Sequence, residues 1–234
     1  EDIKFVVDQE YQWDNPLTVQ YADAPAMGRI EIVKTDAETG DALEGAEFSI
    51  TAAEDIVTPD GTVHAAAGDV VDTVVSGKNG KATSKNLYLG KYTVTETKQP
   101  AGYVLPDQSW EVELTYKDQY TELVTETLDA ENQPTVVIID KKVTGSDQRL
   151  SGVKFAIWNK DTEDSVDPGM TYKDIYKTDR EGQIRLEKFD PGTYCIKEVE
   201  GVPGYAVDDT IHEFTVTEDG RVDGQAEVTI TIEN

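Results

Sequence analysis

A glutamate occupies an apolar position in the sequence GKYTVTETKQPAGY, which begins at Gly90. Side chains of an extended chain point alternately to two faces, so Tyr92, Val94 and Glu96 share one face of the predicted strand. The tyrosine and the valine predict that this face is buried. A lone buried carboxylate is costly unless it is paired or stays protonated. Glu96 therefore either lies at a frayed strand end or meets a partner in the core.

Two lysines occupy apolar faces in the same way. In GRIEIVKTD, Lys34 follows Ile30 and Ile32 with a period of two, and in VVIIDKK, Lys141 follows Ile139. This period predicts strands with one buried face. Because burial disfavours the ammonium form, a lysine in such a place can become a neutral nucleophile.

A side chain with a carboxyl or an amide group also ends an apolar face at two places. Asp140 follows Val136 and Ile138, and Asn234 follows Ile232 at the end of the sequence. A second glutamate, Glu198, matches Glu96 in a similar strand. The sequence thus offers, twice, an inward lysine on a first strand, an inward Asp or Asn on a last strand, and a glutamate between them.

An internal repeat accounts for this duplication. KTDAETGDALEGAEFSI, from Lys34, aligns without a gap with KKVTGSDQRLSGVKFAI, from Lys141. GKATSKNLYLGKYTVTETKQPAGY then aligns with GQIRLEKFDPGTYCIKEVEGVPGY after a loop that is shorter in the second copy. Fixed-period similarity of this kind indicates repeated structural units.

Each copy reads as β-structure, with short alternating runs such as RIEIV, YTVTE, WEVEL and VTITI between turn signals. We predict an all-β protein of two tandem immunoglobulin-like β-sandwich domains, 27–140 and 141–234. Because no flexible linker separates them, we expect the domains to stack end to end. Residues 1–26 are either the tail of a preceding domain or extra N-terminal strands.

Composition excludes several classes of function. The 234 residues carry 21 basic and 47 acidic side chains, a formal net charge of −26. That balance argues against nucleic acid or an anionic membrane as partner, since both require a positive face.

Cys195 is the single cysteine, which excludes an internal disulfide and a thiolate metal cluster. His64 and His212 lack ligand spacing, so we expect neither a metal nor a cofactor. No apolar run is long enough to span a bilayer and no signal peptide opens the chain, as in a mature or excised piece of protein.

Other candidate residues have simpler interpretations. Trp13, Trp110 and Trp158 could stack on sugars, but they are scattered, which favours packing roles. Cys195 alternates with the apolar residues beside it, so we expect it to face away from the core. The acidic turns DAETGD and DREGQ lack the ligand pattern of calcium loops and are interpreted as solvated turns.

The two copies resemble the SpaA-type or Cna B-type domains of Gram-positive pilins and wall-anchored adhesins, which have a prealbumin-like fold. The resemblance rests on the pattern G-x-Y-x-x-x-E with its following P-x-G-Y or P-G-Y turn, and on K-x-D-x-x-T-G-x-x-L-x-G-A-x-F from Lys34. It implies a spontaneous isopeptide bond in each copy. The implied cross-links join Lys34 to Asp140 and Lys141 to Asn234, with Glu96 and Glu198 as the catalytic residues. The second copy lacks the aspartate of the K-x-D pattern, which leaves Lys142 as a competitor of Lys141.

The resemblance further implies stalk domains of a secreted pilin or adhesin at the cell surface or cell wall. Their partners would be neighbouring domains or pilus subunits, and no turnover enzyme is expected. An alternative from another class is a module that binds glycan or host matrix protein through its loops. At the site itself, the alternative is a buried ion pair with no bond.

Overall fold

The computed structural model describes residues 25–161 and 174–234, whose regular structure consists of β-strands. Ten strands precede residue 133: β1 Met27–Asp36, β2 Glu47–Ala52, β3 Ile56–Val57, β4 Val63–Ala65, β5 Val70–Val75, β6 Lys81–Thr83, β7 Leu87–Tyr88, β8 Gly90–Lys98, β9 Ser109–Leu114 and β10 Leu123–Asn132. Seven follow it: β11 Val136–Lys142, β12 Lys154–Asn159, β13 Ile175–Lys177, β14 Gln183–Glu187, β15 Gly192–Glu200, β16 Ile211–Val216 and β17 Glu227–Glu233. The described residues contain no helix long and apolar enough to cross a bilayer.

The first domain is a sandwich of two sheets. One has the order β10-β1-β6, with β7 also paired to β1, and the other has the order β5-β2-β8-β9. A short β3-β4 hairpin lies outside both sheets. Alternating side chains of β1, β2 and β8 fill the space between the sheets, as their period of two predicts. The members of this core that these three strands supply include Ile30, Ile32, Phe48, Ile50, Tyr92 and Val94.

The second domain repeats this arrangement. Its sheets have the orders β14-β11-β17 and β13-β12-β15-β16. In both domains the first strand runs parallel to the last, β1 beside β10 and β11 beside β17. The sequence-based prediction of two tandem all-β domains is therefore confirmed. The second core includes Ile139, Phe155, Ile157, Ile196, Phe214 and Ile232.

The domain boundary lies earlier than the repeat suggested. Strand β11 pairs with β14 and β17, so Val136 and the residues that follow it belong to the second domain. Asp140 is therefore part of the second domain's first strand and does not close the first domain. The alternation of VVIIDKK fits either assignment, because a period of two does not identify the neighbouring strands. Of the N-terminal segment 1–26, all but the last two residues lie outside the described ranges.

The two domains meet through the ends of their strands. The Gln99 side-chain amide donates a hydrogen bond of 2.6 Å to the carbonyl of Glu218, and the backbone N–H of Leu105 donates one of 2.9 Å to the carbonyl of Asp219. A further ion pair joins Arg185 to Glu38 at 2.9 Å, and another of 2.7 Å joins Arg221 to Asp107. These contacts connect the end at which β1 and β10 finish with the end at which β11 begins.

Candidate functional site

Lys34 lies in the core of the first domain. Alternate residues of β1 from Gly28 to Asp36 are buried, and this periodicity carries the lysine inward with no exposed surface. Its Nζ contacts the side-chain oxygen Oδ1 of Asn132 and lies 3.3 Å from Oε2 of Glu96. The three side chains form a buried triad.

Asn132 reaches the lysine because β10 runs parallel to β1. Lys34 lies opposite Ala130 in the register, so Asn132 is two residues further along the same face. Its amide nitrogen donates hydrogen bonds of 2.8 Å to Oε1 of Glu96 and 3.0 Å to the carbonyl oxygen of Val104. These two acceptors leave the amide carbonyl turned toward the lysine.

A β-bulge sets the position of Glu96. In the pairing of β2 with β8, Phe48 lies opposite Glu96 whereas Glu47 lies opposite Lys98, so Thr97 is an extra residue. The second domain has the same irregularity immediately after its glutamate, at Lys154/Phe155. Bulges re-aim side chains and recur next to functional sites. Glu96 thus points inward and is only 3% exposed.

Burial pushes both ionisable members of the first triad toward their neutral forms. Desolvation lowers the pKa of Lys34, and the nearby Glu96 only partly opposes this. Desolvation likewise raises the pKa of Glu96, against the opposing effects of Lys34 and Asn132. Oε2 of Glu96 has no partner in hydrogen-bond geometry among the described residues, although Nζ of Lys34 lies 3.3 Å away. An oxygen in this position suits a carboxyl group that holds or exchanges a proton.

The second domain contains the same triad. Lys141 is fully buried, and its Nζ contacts Oδ1 of Asn234 and lies 3.0 Å from Oε2 of Glu198. Lys141 is opposite Ile232 in the parallel register, so Asn234 again lies two residues beyond the position paired with the lysine. The amide nitrogen of Asn234 donates to the carbonyl of Ala206 at 2.5 Å and to Oε1 of Glu198 at 3.4 Å.

The expected partner of Lys34 requires correction. The structure places Asn132 beside Lys34, and places Asp140 in an ion pair with Arg149, whose Nε lies 2.6 Å away. Asp140 is on the opposite face of β11 from Lys141, because adjacent residues of a strand point to opposite sides. The competing Lys142 is 3.7 Å from Asp140 and partly exposed, so Lys141 is the lysine of the second triad.

Asn132 is the residue that the sequence analysis missed. A signal was present, since Val124, Leu128, Ala130 and Asn132 share one face of β10. Glu126 interrupts this apolar face, so the alternation did not identify the strand. In both triads, Oε1 of the glutamate faces the amide nitrogen of its asparagine.

The remaining candidate residues lie away from the triads. Cys195 is on the outer face of its sheet, as predicted, but it is buried there with Ala156 and Trp158 in a small separate cluster. Trp110 packs against Phe48 at 6.4 Å between ring centroids. Trp13 falls outside the described residues. Within the described ranges, no group of three or more His, Cys, Asp or Glu side chains could hold a metal ion.

One protein-family model matches the chain. The family model for the SpaA prealbumin-like fold domain matches twice, at residues 28–128 and 136–231. The chain belongs to the SpaA family. The two matched segments coincide with the two sandwiches, and the boundary between them precedes β11, as the strand pairing requires.

Solved structures similar to the SpaA domains of this chain come from Gram-positive bacteria. The TIE protein of Bacillus anthracis has 22% identity over 89% of this chain and 34% of its own, with a TM-score of 0.45. A streptococcal ancillary pilin has 24% identity over 89% of this chain and 62% of its own, with a TM-score of 0.35. A minor pilin of Streptococcus agalactiae has 21% identity over 88% of this chain and 95% of its own, with a TM-score of 0.33. The chain spans less than two thirds of the first two proteins. Curated protein sequences contain no match to it.

Proposed function

We propose that the two domains form part of the stalk of a pilin or adhesin at a Gram-positive cell surface, and that each is hardened by an internal isopeptide bond. The bonds join Lys34 to Asn132 and Lys141 to Asn234. The observation that supports this proposal is the buried triad of lysine, asparagine and glutamate, which recurs with the same register in both domains. Membership of the SpaA family and the resemblance of its motifs to pilin and adhesin domains agree with it.

The chemistry is a single amide exchange. The neutral Nζ of Lys34 attacks Cγ of Asn132, the Nζ–Cγ bond forms, and the Cγ–Nδ2 bond breaks. Nζ loses one proton and Nδ2 gains one, so that the leaving group departs as ammonia. Glu96 is suited to carry these protons, because Oε2 lies 3.3 Å from Nζ while Oε1 lies 2.8 Å from Nδ2. Since both partners are asparagines, each domain would release ammonia and neither would release water.

Burial promotes this reaction in two ways. It favours the free amine of Lys34, which is the nucleophilic form, as the lowered pKa indicates. It also holds amine and amide in contact, and well-oriented intramolecular reactions reach effective molarities of about 10⁵ M or more. An uncatalysed amide exchange between separate molecules in water lacks both advantages.

The position of the bonds defines a short covalent path for tension. Force entering near Lys34 would cross to Asn132, follow the chain to Lys141, and cross again to Asn234. Most residues of each sandwich lie outside this path, so pulling would not need to separate their hydrogen-bonded strands. The alternative of a loop-based glycan module gains no support from the described tryptophans, because Trp110 packs against Phe48 and Trp158 is buried in the small cluster on the outer face of its sheet.

Single-molecule pulling tests the load-bearing role. Lys34→Met removes the nucleophile and keeps an unbranched buried side chain. The wild type should show no unfolding step from the first domain. The variant should release the 98-residue separation between Lys34 and Asn132, which at about 3.4 Å per residue corresponds to roughly 330 Å of chain.

Lys81→Met provides the matched control, since Lys81 is a half-exposed lysine that pairs only on the surface, with Glu31. It should behave as the wild type does. Equal extension of the wild type and Lys34→Met would contradict the proposal that the bond carries load.

A further inference from the structure

The loop between β8 and β9 supplies part of the first triad's surroundings. The carbonyl oxygen of Val104 accepts the hydrogen bond of 3.0 Å from the amide nitrogen of Asn132. The backbone of Val104 is itself fixed by a 2.9 Å hydrogen bond to the carbonyl of Gln133. The orientation of the Asn132 amide, with its carbonyl toward Lys34, therefore depends on where this loop lies.

The second domain holds this loop in place. The hydroxyl of Tyr103 donates a 2.7 Å hydrogen bond to Asp36, two residues beyond Lys34 on the buried face of β1. Lys188 of the second domain lies 3.2 Å from the same carboxylate oxygen and 5.1 Å from the centre of the Tyr103 ring. Tyr103 is only 5% exposed as a result.

The two domains pack tightly against each other at this interface. A Cβ added to Gly220 would lie 2.1 Å from the carbonyl oxygen of Tyr103, and one added to Gly102 would lie 2.7 Å from Cβ of Lys188. Lys188 itself has a φ of 65°, a backbone conformation that is uncommon for a residue other than glycine. Its backbone N–H donates a 2.8 Å hydrogen bond to the carbonyl of Thr135. Strain of this kind persists where the surrounding contacts over-determine the conformation.

Among the described residues, nothing comparable covers the equivalent loop beside the second domain's triad. Ala206 occupies the place of Val104 and is exposed, and Val207 beside it is 48% exposed. A Cβ added to Gly204, the equivalent of Gly102, would meet nothing within 4 Å among the described residues. The contact from the asparagine amide to the glutamate is 3.4 Å in this domain and 2.8 Å in the first, whereas the contact to the loop carbonyl is 2.5 Å here and 3.0 Å in the first.

We propose that docking of the second domain completes the bond-forming site of the first, and that Lys188 acts as a positioning residue for the reaction of Lys34 with Asn132. This inference rests on the proposed function. Lys188 and the turn at Gly220 hold Tyr103 and its loop against Asp36, and the loop then holds the Asn132 amide in its reactive orientation. The first domain's bond consequently forms faster once the second domain has folded and docked.

The test follows each bond separately in the full chain. The protein is made by cell-free synthesis, the reaction is stopped by denaturant at intervals, and peptide mapping quantifies the Lys34–Asn132 and Lys141–Asn234 cross-links. Gly220→Ala should slow the first bond at least about tenfold, since small misplacements of reacting groups have effects of this size. The rate of the second bond should be unchanged, which also shows that the second domain folds.

Gly224→Ala is the matched control for backbone strain. Gly224 has a φ of 76°, close to the 79° of Gly220, but its added Cβ would meet nothing within 4 Å in the described parts of the chain. Both substitutions therefore strain the backbone similarly, and only Gly220→Ala disturbs Tyr103. Gly224→Ala should form both bonds at the wild-type rate.

A second pair of variants tests the side chain of Lys188. Lys188→Ala should slow the first bond selectively, and Lys188→Arg should restore it by keeping the charge beside Asp36. Arg185→Ala removes a different ion pair across the joint, with Glu38, and should leave both rates unchanged.

Two outcomes would overturn the inference: an unchanged rate of the first bond in both Gly220→Ala and Lys188→Ala, or an equal slowing of both bonds. Absence of both cross-links from the wild-type protein would instead refute the proposed function, so the two failures are distinguishable.

Discussion

At the scale of single residues, the environment sets the charge state of each side chain that the proposed reaction uses. Lys34 and Glu96 face each other with no exposed side-chain surface, and burial shifts both pKa values toward the neutral forms. Two residues along β1, the equally buried Asp36 shows the opposite behaviour. Burial alone would raise the pKa of Asp36, but hydrogen bonds from Tyr103, from two backbone N–H groups and from Lys188 lower it to about 2. The hydrogen bonds to Asp36 therefore outweigh its burial, whereas those to Glu96 do not.

The pKa of Asp36 predicts a pH dependence of stability. Its ordinary value is 3.8, so between pH 4 and 2 the unfolded chain binds more protons at this residue than the native protein does. The stabilisation is fully present above about pH 4, is lost as the pH falls toward 2, and amounts to about 2 kcal/mol. Thermal unfolding of the wild type and of Asp36→Asn, measured from pH 7 to pH 2, should show a stability gap that closes in this window. A gap that stays constant across it would contradict the assignment.

Some residues of the two triads could be identified from the sequence alone, and others could not. Glu96 and Glu198 could be identified because each breaks an otherwise apolar face. Alternation with Ile139 favoured Lys141, but Lys142 stayed a competitor until the structure showed which lysine meets Glu198. Asn132 was harder to identify, because Glu126 interrupts the apolar face to which it belongs.

At the scale of elements, the parallel pairing of first and last strands brings the reacting groups together. β1 and β10 lie side by side although a 98-residue separation divides Lys34 from Asn132 along the chain. The alternation within each strand was predictable from sequence, since it depends on neighbouring residues. The pairing was not, because VVIIDKK satisfies the pattern of a closing strand as well as that of an opening strand.

A bond between these strands should stabilise the first domain strongly. Closing a loop of this length gives about 4–5 kcal/mol in the chain-entropy model, which is comparable to a large part of the stability of a small domain. Lys34→Met should therefore lower the melting temperature of the first domain by tens of degrees and make it sensitive to protease, with the second domain little changed. Calorimetry and limited proteolysis measure both effects. Lys81→Met should leave both transitions in place, and a similar small shift in the two variants would argue against a cross-link.

At the scale of the whole molecule, the two domains form a joined pair through a polar interface. Asp36, Tyr103 and Lys188 come from distant parts of the sequence and meet only because the second domain docks on the first. Their meeting could not be predicted from the repeat. The second copy has Val143 where the first has Asp36, and that difference gains its meaning only from the structure.

The mass of the intact, denatured and reduced protein tests the central claim most directly. Each bond releases one ammonia, about 17 Da, so the wild type should weigh about 34 Da less than its sequence. Glu96→Gln and Glu198→Gln should each retain only one loss, located by peptide mapping in the unaltered domain, and the double variant should have its full sequence mass. A wild-type protein at its full sequence mass would contradict the account, as would a cross-link mapped to Asp140 or Lys142.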